Sequence, residues 1–273
     1  MNTIYAFLKR CALAFLPESA LRPLRQWHYG RVLRSFSDAD EPDLRVVRGL
    51  VQPGTTAVDL GANIGIYTMV LSELVGPTGS VISVEPVPQT FDVLSRNVRS
   101  LAKTNVACVN AAVSDADGHL MMELPNYETG GTNFYQARVV ATTEPRVQGA
   151  KSHVRVRAAK LDTLVAGARA IGFVKCDVEG HELACLRGAE MVLDSHSPAW
   201  LVEVSGDPDE LDTSAMKLFQ LLGDRSYSPW WFDSHRLIER RSGDHSTNYF
   251  FLKEIHLQTL RTSAPHLFER VPT

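Results

Sequence analysis

The stretch Thr55–Leu71, TTAVDLGANIGIYTMVL, decides the fold. Thr55–Leu60 is a short β-branched and apolar run of the kind that fills a buried strand. A helical pattern follows from about Ile64 to Val75. Between them stand an acid, Asp59, and two glycines bracketing Asn63. Glycine permits close backbone approach and dihedrals that other residues avoid, and a helix start presents free N–H groups. A strand, a glycine loop and a helix in this order mark a place where backbone meets a ligand.

Outward from that stretch, apolar runs alternate with helical patterns. Gly76–Gly79 is a turn, SVISVEP a second strand, and QTFDVLSRNVRSLAK a helix with Phe91, Leu94, Val98 and Leu101 on one face; VACVNAAV is a third strand. Strands and helices alternating at this pitch predict right-handed βαβ units around a parallel sheet. From Gly118 to Val156 the pattern changes: DGHLMMELP and SHVRVRAAKLD alternate as antiparallel strands, around a polar glycine-containing loop in which ETGGTNFY (Glu128–Tyr135) is a candidate lid. Parallel character resumes in IGFVKCDVEGHE, with a strand over about Gly172–Cys176. The helix ELACLRGAEMVL, the strand AWLVEVS, a helix near Asp209–Leu222 and two terminal strands, SYSPWWF and NYFFLKE, follow. The expected organisation is a helical arm over 1–42, one domain over 43–254 and a frayed tail over 255–273.

With 273 residues, 44% of them hydrophobic and 22% charged, the chain can bury one large α/β core. A formal net charge of -3 gives no case for nucleic acid as a partner. Cys11, Cys108, Cys176 and Cys185 are scattered without a CxxC pair, which reads as reduced thiols and a cytoplasmic protein. The first 36 residues hold six Lys or Arg against one acid. Ile4, Leu8, Ala12 and Phe15 recur there at helical spacing, interrupted by Lys9 and Arg10, too short and charged to span a bilayer. The arm reads as a helix packed on the core or on a neighbouring subunit; its alternative is peripheral contact with anionic lipid. Nothing in the sequence sets the oligomeric state.

Ligands of open α/β sheets sit beyond the carboxyl ends of the strands. Asp59–Gly65, Glu85–Pro86, Asn110–Ala112 and Asp177–Glu182 all follow strand ends. A dinucleotide fingerprint would read G-x-G-x-x-G; here the spacing is G-x-N-x-G with Asp59 directly before it. A carboxylate there repels a pyrophosphate, which disfavours a nicotinamide dinucleotide and the oxidoreductase reading. It suits a ligand with an ammonium group, such as the methionyl part of S-adenosylmethionine. Glu85 suits ribose hydroxyls. The bland alternative is that Asp59 only caps a helix and Glu85 is a solvated strand end.

VDLGANIGIYT, VISVEPVPQTFDVLSRNV, NAAVSDADG, KLDTL, FVKCDVEGHELACLRGA and LVEV together resemble the FkbM-type family of class I S-adenosylmethionine-dependent methyltransferases, over about Pro53–Leu252. The resemblance implies an α/β, Rossmann-like class I methyltransferase fold: a mostly parallel seven-stranded sheet with an antiparallel last strand and helices on both faces. It implies that Asp59, Gly61, Asn63 and Gly65 line the methionyl and ribose end of the cofactor, that Glu85 holds the ribose hydroxyls, and that Asn110 and Ala111 flank the adenine. It also implies O-methylation of a hydroxyl on a sugar, glycan or natural-product acceptor. Alternatives that keep the cofactor are an N- or protein-directed enzyme and a non-catalytic binding scaffold.

Asp177, Glu179 and His181 are the candidate catalytic residues of DVEGHE. Asp177 is placed to contact the acceptor hydroxyl or the methionyl end. His181, with an ordinary pKa near neutrality, is a candidate base that Glu179 would orient. Glu182 belongs to a helix start, and Glu203 to the far side of the pocket. The three candidates could instead chelate a divalent cation, which is not favoured, or Glu179 and His181 could only cap the helix and pin the loop. Trp230 and Trp231 are either an aromatic wall for an acceptor or core residues.

Overall fold

The computed structural model describes residues 29–125, 137–140 and 152–269. The expectations for the arm before residue 29 and for the lid at 128–135 lie outside them. Residues 29–35 are helical, and α1 spans Leu44–Leu50. The alternation then runs β1 Thr56–Leu60, α2 Ile66–Val75, β2 Ser80–Val84, α3 Pro88–Ser100 and β3 Val106–Val109. A second group of strands follows: β4 Ala112–Val113, β5 Gly118–Leu124, β6 Arg138–Val140 and β7 Ser152–Ala159. The chain returns to the first sheet through α4 Leu161–Leu164, β8 Ile171–Cys176, α5 Glu182–Arg187 and β9 Ala199–Glu203. It closes with α6 Ser214–Gly223, β10 Ser228–Phe232, β11 Leu237–Glu239, β12 Asn248–Leu252 and α7 Glu254–Ser263.

Among the described residues the main sheet has eight strands, in the order β11-β10-β12-β9-β8-β1-β2-β3. β3, β2, β1, β8 and β9 are parallel, and β12 runs antiparallel between β9 and β10. A dinucleotide fold of the doubly wound type has no such inserted antiparallel strand. Every residue of β1 is buried, as expected of a strand with helices over both faces. One face packs against α1, α2 and α7 through Val47, Leu71 and Leu260; the other packs against α5 and α6 through Leu186, Leu218 and Leu222.

The sheet has one strand more than the expected seven. Asp233 accepts bonds from the backbone N–H groups of His235 (2.9 Å) and Arg236 (2.7 Å), and Ser234 adopts φ 74°. That turn sends the chain back along β10 as the edge strand β11. VACVNAAV likewise divides: β3 stays in the main sheet, while β4 joins the smaller sheet β4-β7-β5-β6. The antiparallel pairing of β5 with β7 agrees with the alternation in their sequences. The expected helix over 182–193 ends at Gly188, where a Cβ would overlap the carbonyl oxygen of Ser114, and a π-turn covers Val192–His196.

Over its described residues, up to 269, the expected tail is ordered as α7 and a short 3-10 turn at Pro265–Phe268. Leu257, Leu260 and Leu267 are buried, and Gly49 of α1 leaves room for Leu260 of α7. The apolar spacing 257–260–267 was hidden by the polar residues around it. Among the described residues, no helix is long and apolar enough to cross a membrane.

Candidate active site

Gly61 directly follows β1, and its N–H donates to the carbonyl of Val84 at the end of β2 (3.0 Å); the N–H of Asp177 donates to Leu60 (3.1 Å). The three central strand ends are thereby tied edge to edge. Gly61 has φ +74°, and a Cβ there would run into the Asp177 carbonyl oxygen, so both dihedral and space require glycine. Asn63 adopts φ 51°, and its N–H donates to Glu85 Oε2 (3.0 Å). Glu85 Oε1 accepts from the N–H of Val87 (3.0 Å). Burial pushes the Glu85 carboxyl up to about 7, and these two backbone donors only partly offset it.

Glu85 therefore carries a pH dependence. Its folded pKa lies above the unfolded value of roughly 4.3, so the folded chain holds more protons between the two values and stability falls as pH rises through that window. Glu85→Gln should flatten this slope by about 3 kcal/mol between pH 5 and pH 8. Urea unfolding across that range checks it; an unchanged slope in the variant would assign the effect to other groups.

Asp59 is fully buried. Its Oδ2 accepts from Thr68 Oγ1 of α2 (2.6 Å), and Thr68 in turn meets Ser83 Oγ (2.9 Å). Its Oδ1 has no partner among the described residues. Burial pushes its pKa up, opposed by Lys175 and Thr68. Lys175 lies opposite Asp59 in the β1–β8 register, and its Nζ reaches Asp177 Oδ2 at 2.8 Å and lies 4.9 Å from the centre of the Tyr67 ring. Burial would lower the Lys175 pKa, but Asp177, Asp59 and Glu203 outweigh it and the net shift is upward.

Two cavities meet here. The first is an apolar slot with Val87, Ala111, Val113 and Met122 on its walls and Glu85 at its mouth. The second, of about 300 Å³, brings the side chains of Tyr29, Glu41, Asp59, Tyr67 and Lys175 together beside apolar surface from Ile64 and Ile66. Gly61, Asn63 and Asp177 line both.

Two residues expected at the ligand, Gly65 and Asn110, line neither cavity. Gly65, with φ +99°, caps α2, and a Cβ there would press on Leu94 at 2.9 Å. Asn110 donates through Nδ2 to the carbonyls of Glu85 (2.8 Å) and Pro86 (2.9 Å), which makes it a staple for the Glu85 loop. Ala111 alone of that pair reaches the slot.

His181 faces the first cavity, with Nε2 and Ser114 Oγ 2.9 Å apart, and burial lowers its pKa against the pull of Asp115. It also stands at the N-terminus of α5. Glu179 lies exposed at the rim with φ 53°. Glu182 Oε1 accepts from the N–H of Gly180 (2.8 Å) in the first turn, as expected of a helix-start acid. Among the described residues no group of three or more His, Cys, Asp or Glu is placed to hold a metal ion. Trp230 and Trp231 pack against the core clusters, and neither lines either cavity.

Sequence reasoning missed Lys175, Tyr67, Glu41 and Tyr29. Lys175 left a signal: it is a lone charge in an apolar parallel strand, two residues before Asp177 and so on the same face. Tyr29 and Glu41 left none, because they belong to chain that precedes the motifs.

The arrangement fits S-adenosylmethionine. The orphaned Asp59 Oδ1 suits a donor bearing positive charge, Gly61 leaves room beside it, Glu85 can accept from hydroxyls, and the slot admits a planar base. Fold and site together define a class I S-adenosylmethionine-dependent methyltransferase. The family model described as the methyltransferase FkbM domain matches residues 59–229, more than half of the chain, and the chain belongs to that family.

Methyltransferase sdnD of Sordaria araneosa is 28% identical over 216 residues, covering 68% of this chain and 81% of that protein. A protein-L-isoaspartate O-methyltransferase of Methanothrix thermoacetophila is 32% identical over 59 residues, 22% of this chain and 28% of the relative. Among solved structures, methyltransferase FkbM from Methylobacillus flagellatus KT aligns at a TM-score of 0.47 with 17% identity, over 73% of this chain; the alignment spans 44% of that longer protein.

Proposed function

We propose that the chain methylates a hydroxyl oxygen on a small-molecule or glycan acceptor. The observation that carries this reading is the position of Asp177, a carboxylate on the wall that the two cavities share. In this reading Val87, Ala111 and Val113 hold the adenine in the slot, and Glu85 accepts from the ribose hydroxyls. Asp59 faces the ammonium of the methionyl end, while Gly61 and Asn63 bring backbone against the middle of the ligand. When bound, S-adenosylmethionine supplies a methyl group on a positively charged sulfur, which departs as a neutral thioether. The chain's residues align the acceptor oxygen and remove its proton. Alignment can supply several kcal/mol of the acceleration, and a base about 10²–10⁴-fold. Among the candidates Asp177 stands nearest the second cavity, whereas His181 is turned towards Ser114 and Glu179 towards solvent.

Titration calorimetry with S-adenosylhomocysteine tests the cofactor assignment. The unaltered chain should bind it, and Asp59→Asn, which keeps the shape but removes the charge, should weaken binding about 10-fold or more. Equal affinity in the two proteins would remove Asp59 from the methionyl end.

A further inference from the structure

At the ends of the neighbouring parallel strands β8 and β9 the sheet sets two acids side by side. Asp177 directly follows β8, and Glu203 is the last residue of β9. Continuing the register that pairs Cys176 with Val202 brings Asp177 level with Glu203, close enough for each charge to act on the other. Two neighbouring carboxyl groups oppose each other's negative charge, and a proton on one can be passed to the other. Lys175 approaches from the Asp177 side, its Nζ 2.8 Å from Asp177 Oδ2.

The groups facing Glu203 are Lys175 and Asp177 from β8 and Glu179 from the loop beyond it; opposite, on β12, stands the uncharged Asn248, whose side chain donates to Asp43. Burial first, then Asp177 and Glu179, raise the Glu203 carboxyl to about 7, against the weaker pull of Lys175. Near neutral pH the Glu203 carboxyl is thus divided between its protonated and its ionised form.

We propose that Asp177 and Glu203 act as one proton acceptor for the methyl acceptor, with Asp177 meeting the hydroxyl at the junction of the cavities and Glu203 taking up the proton behind it. This deepens the methyltransferase reading and rests on it. The proton-free pair is the active form. The acceptor O–H bond breaks and its proton forms a bond to an Asp177 oxygen and passes to Glu203; the electron pair left on the acceptor oxygen forms the new bond to the methyl carbon as the carbon–sulfur bond breaks and its pair stays on sulfur. Glu203, partly open to solvent, then returns the proton to water. A positive charge at the methyl position favours the proton-free pair through space, so cofactor charge and base readiness are linked. Glu203 acts through Asp177 and is a positioning residue; Asp177 is the catalytic one.

The test needs no acceptor. Two ligands are titrated into the full chain near pH 7, each in two buffers of different ionisation enthalpy. One is S-adenosylhomocysteine, neutral at sulfur; the other is the analogue carrying a protonated amine where the methyl group would be. Both engage Glu85 alike, so the difference in protons released reads the pair. The amine analogue should release roughly half a proton more than S-adenosylhomocysteine. That excess should vanish in Glu203→Gln and persist in Glu203→Asp, with S-adenosylhomocysteine affinity unchanged in both. No excess in the unaltered chain, or the same excess in Glu203→Gln, overturns the relay while leaving the methyltransferase reading in place. Failure of both ligands to bind overturns the methyltransferase reading and the relay with it. Should Glu203→Gln not fold, the comparison of the two ligands on the unaltered chain still decides.

Discussion

Gly61→Ala should cost the protein about 3–5 kcal/mol of stability and abolish S-adenosylhomocysteine binding. Two independent effects add at this position. A non-glycine residue held at φ +74° carries a left-handed penalty of roughly 1–2 kcal/mol. The new Cβ must also displace the Asp177 carbonyl oxygen, which is backbone and has no rotamer to retreat into. Forcing the β1 and β8 loops apart strains the bond from the Asp177 N–H to Leu60 and those from Gly61 and Ala62 to Val84. Urea unfolding and ligand calorimetry measure the two losses. A variant with the unaltered midpoint and affinity would show that these strand ends tolerate separation, and the two cavities would then not depend on this contact.

Lys175→Met should cost about 3 kcal/mol at neutral pH, with a smaller loss in acid. Lys175 is 8% exposed and is the cation nearest to Asp59, Asp177 and Glu203. Methionine fills much of the same volume, so the deficit reports charge and not packing. Without the ammonium, the buried Asp59 carboxylate keeps only Thr68 as a compensating partner. The sign follows from linkage. The folded pKa of Lys175 is raised, so its contribution is fully present below the unfolded value of roughly 10.4 and does not vary between pH 5 and pH 8. Asp59 has a raised folded pKa and loses stability as pH climbs through it; removing Lys175 steepens that loss. Unfolding measured at pH 5 and pH 8 should therefore show the deficit growing with pH. A deficit equal at both values would mean that Lys175 acts through packing on Tyr67.

The strands were legible where burial was two-sided. TTAVDL, SVISV and IGFVKC read as parallel strands because a strand covered by helices on both faces must be apolar along its length. Edge features were not legible. The LIE strand exists because Asp233 turns the chain, and the C-terminal helix holds because three leucines meet a surface made by α1 and β12. Neither partner surface is visible from the local residues.

The site divided in the same way. Asp59, Gly61, Asn63, Glu85, Ala111 and Asp177 were identified by type and by position at strand ends, and the structure gathers all of them around the two cavities. Gly65 and Asn110 share those strand-end loops but turn inward, one to pack on Leu94 and the other to hold the Glu85 loop. A loop's sequence shows that it curls, not which of its residues point out.

What the sequence by itself determined was the alternation of strand and helix, the glycine at the first strand end and the acids that follow each parallel strand. These are local consequences of burial, dihedral freedom and charge. Only the tertiary structure decided which acids share a wall, that Asp177 lies beside both Lys175 and Glu203, and that chain from before the motifs closes the second cavity with Tyr29 and Glu41. Those contacts join residues on neighbouring strands or on chain far apart in sequence. Their distances are set by sheet register and packing, which no single segment encodes.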